Sequence, residues 1–153
     1  MASQSGGAPS AKVVMLGAQS VGKTCLTIRL VDGKFSENEM TTIGAAYKQK
    51  KVSERVLDIW DTAGQESFAS IITTYYRGIA GAAIIFDLTR KESFQRVDFW
   101  LNELKNKREN NQPISILLIE SAILEIPSAA LSNWPFSATS PKVTIKDLKS
   151  SSS

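Results

Sequence analysis

Cysteine is nearly absent from the sequence: Cys25 is the single one, so no disulfide can form within the chain. This usage is typical of a reducing compartment such as the cytoplasm. The N-terminus lacks the apolar core of a signal peptide, and no apolar run reaches membrane-spanning length. The net charge of +3 is small and dispersed, which argues against nucleic-acid binding. These absences predict one soluble cytoplasmic domain within 153 residues.

The most informative stretch that is present runs from Gly17 to Thr24, GAQSVGKT. It matches G-x-x-x-x-G-K-[ST], a loop whose backbone N–H groups bind phosphates while its lysine and hydroxyl serve the β/γ-phosphates and Mg²⁺. Residues 12–16, which are apolar after Lys12, predict a strand before the loop, and residues 21–30 predict a helix after it. An ordinary glycine turn would not require this order of elements. The candidate phosphate-binding residues are Gly17, Gln19, Ser20, Val21, Gly22, Lys23, Thr24 and Cys25.

A second polar motif follows two predicted strands, over residues 46–52 and 56–60. Asp61 stands at the carboxyl end of the second strand, where a carboxylate can hold a phosphate-bound Mg²⁺, commonly through water. Gly64 offers a backbone N–H to a terminal phosphate, and Gln65 can orient an attacking water. Alone, this segment is equally consistent with an ordinary turn. The upstream phosphate loop favours the functional interpretation.

The remaining elements predict an α/β fold. A continuous apolar run over 82–86 and a mostly apolar stretch over 114–119 indicate buried strands, the first of them covered on both faces. Between them, a helix starting near Ser93 is predicted to pack a core face made of Phe94, Val97, Trp100, Leu101 and Leu104. The alternation indicates a doubly wound, mostly parallel sheet with helices on both faces and a ligand at the carboxyl ends of the strands. Near the end, residues 143–149 have room for at most two helical turns.

Together these motifs resemble the small GTPases of the Ras superfamily, and within it the Rab family. The resemblance runs from Lys12 to Glu109 and includes GAQSVGKT, TTIGAAY, WDTAGQE, TTYYRG, FDLT and the helix from SF to WLNEL, in family order. It implies a P-loop NTPase fold and a GTP/GDP-dependent switch in vesicle trafficking that slowly hydrolyses GTP with Mg²⁺. Its partners would be exchange factors, GTPase-activating proteins and effectors of the Rab type, which would bring it to endosomal or other vesicle membranes.

The resemblance also implies individual roles. Lys23 would bind the β/γ-phosphates, and Thr24 and Thr42 would ligate Mg²⁺. Thr42 and Gly64 would sense the γ-phosphate. Gln65 would be the catalytic residue that positions the hydrolytic water. The aromatic side chains with which Rabs meet effectors correspond here to Tyr47, Trp60 and Tyr75.

The base-binding side departs from the family. Phe35 has the spacing of the family's guanine-contacting aromatic, but residues 120–125, ESAILE, replace N-K-x-D after the 114–119 strand. Glu120 and Glu125 are the carboxylates at hand to substitute for its aspartate. Residues 139–142, TSPK, replace T-S-A-K, and proline lacks the N–H that the alanine gives to guanine. The candidates on this side are Ser140, Pro141 and Lys142.

The predicted domain therefore covers residues 11–149, with 120–149 degenerate, between a disordered tail over 1–10 and a Ser-rich tail over 150–153. Residues 149–153 contain no cysteine of the kind that Rabs prenylate, so no intrinsic membrane anchor is expected. Two alternatives to a GTPase stay open. One is a non-catalytic pseudo-GTPase, a decoy that binds Rab regulators or effectors. The other is a phosphate-loop protein that also accepts ATP.

Overall fold

The computed structural model describes residues 8–34, 42–64, 69–107, 114–121 and 143–148. Its elements, in chain order, are β1 (Ser10–Leu16), α1 (Lys23–Asp32), β2 (Ala45–Val52), β3 (Arg55–Thr62), α2 (Ala69–Ile72), a 3₁₀ helix (Thr73–Tyr76), β4 (Gly81–Asp87), α3 (Lys91–Gln95), α4 (Val97–Lys107), β5 (Ile114–Ser121) and β6 (Val143–Leu148). Ser10, expected in the N-terminal tail, is the first residue of β1.

Within the described residues, six strands form one sheet in the order β2-β3-β1-β4-β5-β6. Strand β1 pairs in parallel with β3 and β4, and β4 pairs in parallel with β5. Only the outer strands β2 and β6 run antiparallel to their neighbours, β3 and β5. The predicted doubly wound, mostly parallel α/β sheet is confirmed.

The core lies on both faces of this sheet, because successive side chains of a strand point to opposite faces. Ile84 of β4 belongs to a buried cluster with Leu104 of α4. Its neighbour Ile85 belongs to a second cluster, against which Leu26 of α1 packs. Helices therefore cover both faces, and β4 is buried along its whole length, as a central parallel strand requires.

The helical segment after β4 differs from the prediction in one respect. It begins at Lys91 and is interrupted at Arg96, so it forms two helices instead of one. The prediction that Phe94 is a core residue is wrong, because the buried side chains of the two helices follow one stripe at helical spacing that passes through Ser93 and leaves Phe94 beside it. Phe94 is 57% exposed and keeps an edge contact with Phe86, with ring centroids 5.1 Å apart. The core residues of α4 are buried as predicted: Val97, Trp100 and Leu104.

This difference is directly testable by truncation. Leu104→Ala should lower the free energy of unfolding by about 2–5 kcal/mol, because Leu104 is completely buried and its removal leaves a cavity. Phe94→Ala should lower it by less than about 1.5 kcal/mol, although it removes more atoms, since most of that ring already contacts water. Urea denaturation of the two variants measures both losses. Equal losses would contradict the described exposure of Phe94.

The segment near the end that has room for at most two helical turns forms a strand instead. Val143–Leu148 forms β6, with Val143 opposite Ile119 and Leu148 opposite Ile114 of β5. Its first three residues, Val-Thr-Ile, are β-branched and favour strands. Pairing also satisfies the backbone groups along the edge of β5, whereas a two-turn helix would need packing partners of its own. None of the helices in the described residues is long and apolar enough to cross a membrane.

Candidate functional site

The phosphate-loop candidate lies between β1 and α1, where the central strand ends. Gly17 has φ +142° and Gly22 φ +90°, while Ser20 has φ +58° although it carries a side chain. A Cβ on Gly17 would collide with the carbonyl oxygen of Ile85 in β4, so only glycine lets the loop pass this close to the sheet. Left-handed positions of this kind turn successive N–H groups into a common concavity, the geometry of an anion-binding nest.

Helix α1 continues directly from this loop. Its N-cap residue, Gly22, has no side chain with which to cap the first turn. The positive end of the helix dipole and the first-turn N–H groups therefore face the loop, as in other anion-binding helix N-termini. Val21 is completely buried and anchors the loop in the core, Cys25 is half-buried in the first turn, and Gln19 is exposed.

Lys23 folds back over the loop and is buried. Its ammonium donates hydrogen bonds to the carbonyl oxygens of Gly17, at 3.1 Å, and Ala18, at 2.7 Å. Burial lowers the pKa of Lys23 to about 8; the nearby carboxylate of Asp61 opposes this shift, and the charge of Arg90 adds to it. A bound polyanion would stabilise the charged form of this buried ammonium, which burial alone disfavours.

Three predicted metal ligands from three separate segments meet beside Lys23. The hydroxyl of Thr24 donates to Oδ2 of Asp61 at 2.6 Å and lies 2.7 Å from the hydroxyl of Thr42. The Thr42 hydroxyl is 3.5 Å from the same Oδ2. Asp61 is buried, and burial raises the pKa of its carboxyl despite the Thr24 hydrogen bond and the charge of Lys23.

These residues fit Mg²⁺. Oδ1 of Asp61 is buried without a hydrogen-bond partner among the described residues, an arrangement that costs about 1–3 kcal/mol unless a ligand satisfies it. Two hydroxyls and one carboxylate supply the hard oxygen atoms that Mg²⁺ prefers. Across the described ranges no group of three or more His, Cys, Asp or Glu side chains could hold a metal by itself. The set therefore suits an ion that also takes waters and phosphate oxygens as ligands.

The segment after β3 lies directly against the phosphate loop. A Cβ on Gly64 would come within 2.5 Å of the Gln19 nitrogen and 2.6 Å of the Ala18 carbonyl, so glycine is required at this contact. The Ala63 N–H donates to the Gly44 carbonyl at 2.8 Å, which extends the β2–β3 ladder by one bond. Thr42 and Gly64 thus lie just beyond the same end of one ladder.

One further finding agrees with the order of the strands, the phosphate loop and the meeting of Thr24, Thr42 and Asp61. A family model described as the Ras family matches residues 12–122. The chain belongs to the Ras family. Within that family it is Rab-like, as its motifs and the names of its relatives indicate.

Three relatives of this Ras-family chain illustrate the similarity. The Ras-related protein Rab-4 of Dictyostelium discoideum is 42% identical over 99 residues, which cover 62% of this chain and 48% of that protein. The Ras-like GTP-binding protein RYL2 of Yarrowia lipolytica is 42% identical over 111 residues, or 70% and 53% of the two chains. The Ras-related protein Rab-24 of Dictyostelium discoideum is 42% identical over 112 residues, or 71% and 54%. The chain spans about half the length of these relatives.

The three aromatic residues predicted to meet effectors form one cluster on the Ras-family sheet. The ring centroids of Tyr47 and Trp60 are 5.0 Å apart, and those of Trp60 and Tyr75 are 4.9 Å apart. The Tyr47 hydroxyl donates to Asp58 at 2.7 Å, and this hydrogen bond raises the pKa of Tyr47. Lys12 lies 5.6 Å above the Trp60 ring. Tyr47 is 48% exposed, so the cluster contributes an aromatic side chain to the protein surface.

Sequence reasoning assigned no role to Arg90, which contacts the phosphate loop. Its Nη2 donates to the Gln19 carbonyl at 2.7 Å, across 71 residues of sequence. No local pattern signals a side-chain contact over that separation. The predicted parallel sheet was the available signal, because the segments that follow parallel strands emerge at the same edge of the sheet, and the observed pairing of β1 with β4 brings these two segments together.

The other predicted site residues lie outside the described residues. They are the catalytic candidate Gln65 and the base-binding candidates Phe35, Ser140, Pro141 and Lys142. Their roles stay predictions from the sequence.

Proposed function

We propose that this chain binds GTP and GDP with Mg²⁺ and acts as a Rab-type switch in vesicle trafficking that slowly hydrolyses GTP. The observation that carries the proposal is the meeting of Lys23, Thr24, Thr42 and Asp61 beside a glycine-dependent phosphate loop. Membership of the Ras family supports a GTPase in general. The Rab names of two relatives support a switch of the Rab type, and the trafficking role is what the Rab resemblance implies.

Each residue of the site has a part in this proposal. The loop N–H groups and the Lys23 ammonium bind the phosphates, and their positive potential offsets the negative charge of the triphosphate. Thr24 and Thr42 would hold Mg²⁺ directly and Asp61 would hold it through water. When bound, the ion neutralises negative charge on the phosphate oxygens. Burial of Lys23 and Asp61 keeps water away and strengthens these electrostatic contacts.

The switch follows from where Thr42 and Gly64 lie. Both flank one end of the β2–β3 ladder, and Gly64 already contacts the loop backbone at Ala18 and Gln19. With a γ-phosphate bound, the Thr42 hydroxyl and the Gly64 N–H are held at the loop. After its release neither group keeps that partner, and both segments are free to move away together. Partners would recognise this difference next to the Tyr47–Trp60–Tyr75 cluster.

Gln65→Leu tests the hydrolytic part of the proposal. The amide of Gln65 would orient the attacking water, whereas leucine can neither donate nor accept a hydrogen bond. We expect GTP affinity to stay within about threefold and hydrolysis to slow by at least about tenfold. Single-turnover phosphate release from GTP-loaded protein measures the rate. Gln95→Leu, the same change at an exposed position in α3, is the matched control. Equal rates for the two variants would refute the role of Gln65.

The aromatic cluster, which is exposed at Tyr47, also favours a second candidate function, a non-catalytic decoy for Rab regulators or effectors. Its rings pack on one another through contacts within the protein and need no nucleotide to do so. The two functions differ in one observable. A decoy would bind effectors of the Rab type equally well with or without nucleotide, whereas the switch binds them more tightly when loaded with a GTP analogue.

A further inference from the structure

The turn that follows β4 is held firmly by hydrogen bonds. Oδ1 of Asp87 accepts from the N–H of Thr89 at 2.8 Å and from its hydroxyl at 2.6 Å. The Ser93 hydroxyl accepts from the Asp87 N–H at 2.8 Å and donates to the Arg90 carbonyl at 2.7 Å. Burial alone would raise the pKa of Asp87, but the Thr89 hydrogen bonds and the charge of Arg90 lower it overall. Asp87 is therefore ionised, and its hydrogen bonds hold the turn in place.

Arg90 extends from this turn to the phosphate loop. Its Nε lies 3.3 Å from Oδ2 of Asp87, and its Nη2 donates to the Gln19 carbonyl at 2.7 Å. The planar guanidinium can make both contacts at once because its donors are fixed relative to one another. The Asp87 contact thus sets the direction from which Arg90 approaches Gln19.

The contact with Gln19 has a consequence for the next residue. The described residues contain no cis peptide bond, and in a planar trans peptide the C=O of one residue and the N–H of the next point in opposite directions. A hydrogen bond that fixes the Gln19 carbonyl therefore also fixes the Ser20 N–H. Ser20 has φ +58°, a conformation that residues other than glycine rarely keep without support from their surroundings.

We propose that Arg90 is a positioning residue of the nucleotide site. By holding the Gln19 carbonyl, it keeps the Ser20 N–H directed at the phosphates and slows nucleotide release. The proposal rests on the proposed function, since it requires the loop to bind phosphates. It differs from direct stabilisation of the γ-phosphoryl group, because the oriented Ser20 N–H serves the loop whether GDP or GTP is bound.

Nucleotide release from three variants of the full chain tests this. We expect Arg90→Ala to release fluorescent GDP and a fluorescent non-hydrolysable GTP analogue about tenfold faster, by a similar factor for both, as loss of a charge-assisted hydrogen bond implies. The release rates of Arg90→Lys should fall between those of wild type and Arg90→Ala, because one ammonium cannot reproduce both contacts of the guanidinium. Lys91→Ala removes the same charge from an exposed neighbouring position and should match wild type.

Two outcomes would overturn the proposal. One is a release rate for Arg90→Ala within twofold of that for Lys91→Ala. The other is faster release of the GTP analogue alone, which would mean that Arg90 contacts the terminal phosphate. Should Arg90→Ala fail to fold, as judged by circular dichroism, Arg90→Lys carries the same comparison.

A second readout separates this proposal from the proposed function. In ¹⁵N NMR spectra, the Ser20 amide resonance should shift in Arg90→Ala and Arg90→Lys but not in Lys91→Ala, with or without nucleotide. An unmoved Ser20 resonance in both Arg90 variants would overturn the positioning role. Absence of nucleotide binding by wild type would instead refute the proposed function, and the Ser20 resonance would still decide whether Arg90 positions the loop.

Discussion

Lys23→Met should weaken GTP and GDP binding by about a thousandfold. The ammonium of Lys23 is buried beside the loop, and removing one partner of a buried charge pair costs about 3–5 kcal/mol. Each 1.4 kcal/mol corresponds to about a tenfold change in affinity. Methionine retains most of the length and packing of the side chain, so the loss would report the missing charge and its hydrogen bonds. Calorimetric titration with each nucleotide in Mg²⁺ measures the effect.

The control for this substitution is Lys51→Met, which removes the same charge from an exposed position of β2. We expect its nucleotide affinity to equal that of wild type. Thermal unfolding without nucleotide should show that Lys23→Met is folded. The substitution replaces a charged side chain, which burial disfavours, with an apolar one. If Lys23→Met binds GTP within about tenfold of wild type, the phosphate site has been assigned to the wrong residues.

Gly17→Ala should destabilise the fold itself, by about 2–5 kcal/mol. The new Cβ would collide with the backbone carbonyl of Ile85, which cannot rotate away as a side chain could. Overpacking in a tight core costs about 1–3 kcal/mol, and the positive φ of Gly17 adds about 1–2 kcal/mol for a residue with a Cβ. Against a typical domain stability of about 5–15 kcal/mol, this loss is large. Denaturant unfolding without nucleotide measures it.

Gly78→Ala is the matched control for the collision. Gly78 also has a positive φ, +67°, but a Cβ there would meet nothing within 4 Å. The free energy of unfolding of this variant should fall only by the cost of a positive φ for a residue with a Cβ, about 1–2 kcal/mol. The difference between the two variants isolates the contact of the phosphate loop with β4. Equal losses would contradict that contact.

The sequence sufficed for the parts of the site whose geometry is set locally. The strand, loop and helix around Gly17 and Lys23 are consecutive in the chain, so one motif predicts their arrangement. Asp61 could be added because parallel strands end at the same edge of the sheet. The structure then brings its carboxylate to 2.6 Å from Thr24.

Other features depend on contacts that no local pattern contains. The Arg90 contact with Gln19 needs both the strand order and a turn fixed by Asp87, Thr89 and Ser93. The exposure of Phe94 reflects a buried stripe that runs through Ser93, whose hydroxyl bonds to Asp87 and Arg90, whereas the spacing of apolar residues alone favours Phe94. Residues 143–148 are too few for periodicity to separate helix from strand. Pairing with β5 determines their state.

The central claim is that this loop and its three oxygen ligands bind a nucleotide polyphosphate with Mg²⁺. Its most direct test is calorimetric titration of nucleotide-free protein with GTP, GDP and ATP, each with Mg²⁺ and with a chelator. We predict micromolar or tighter binding of GTP and GDP, clear weakening when Mg²⁺ is removed because Thr24, Thr42 and Asp61 lose their ion, and weaker binding of ATP. Failure of all three nucleotides to bind in the presence of Mg²⁺ would contradict the claim.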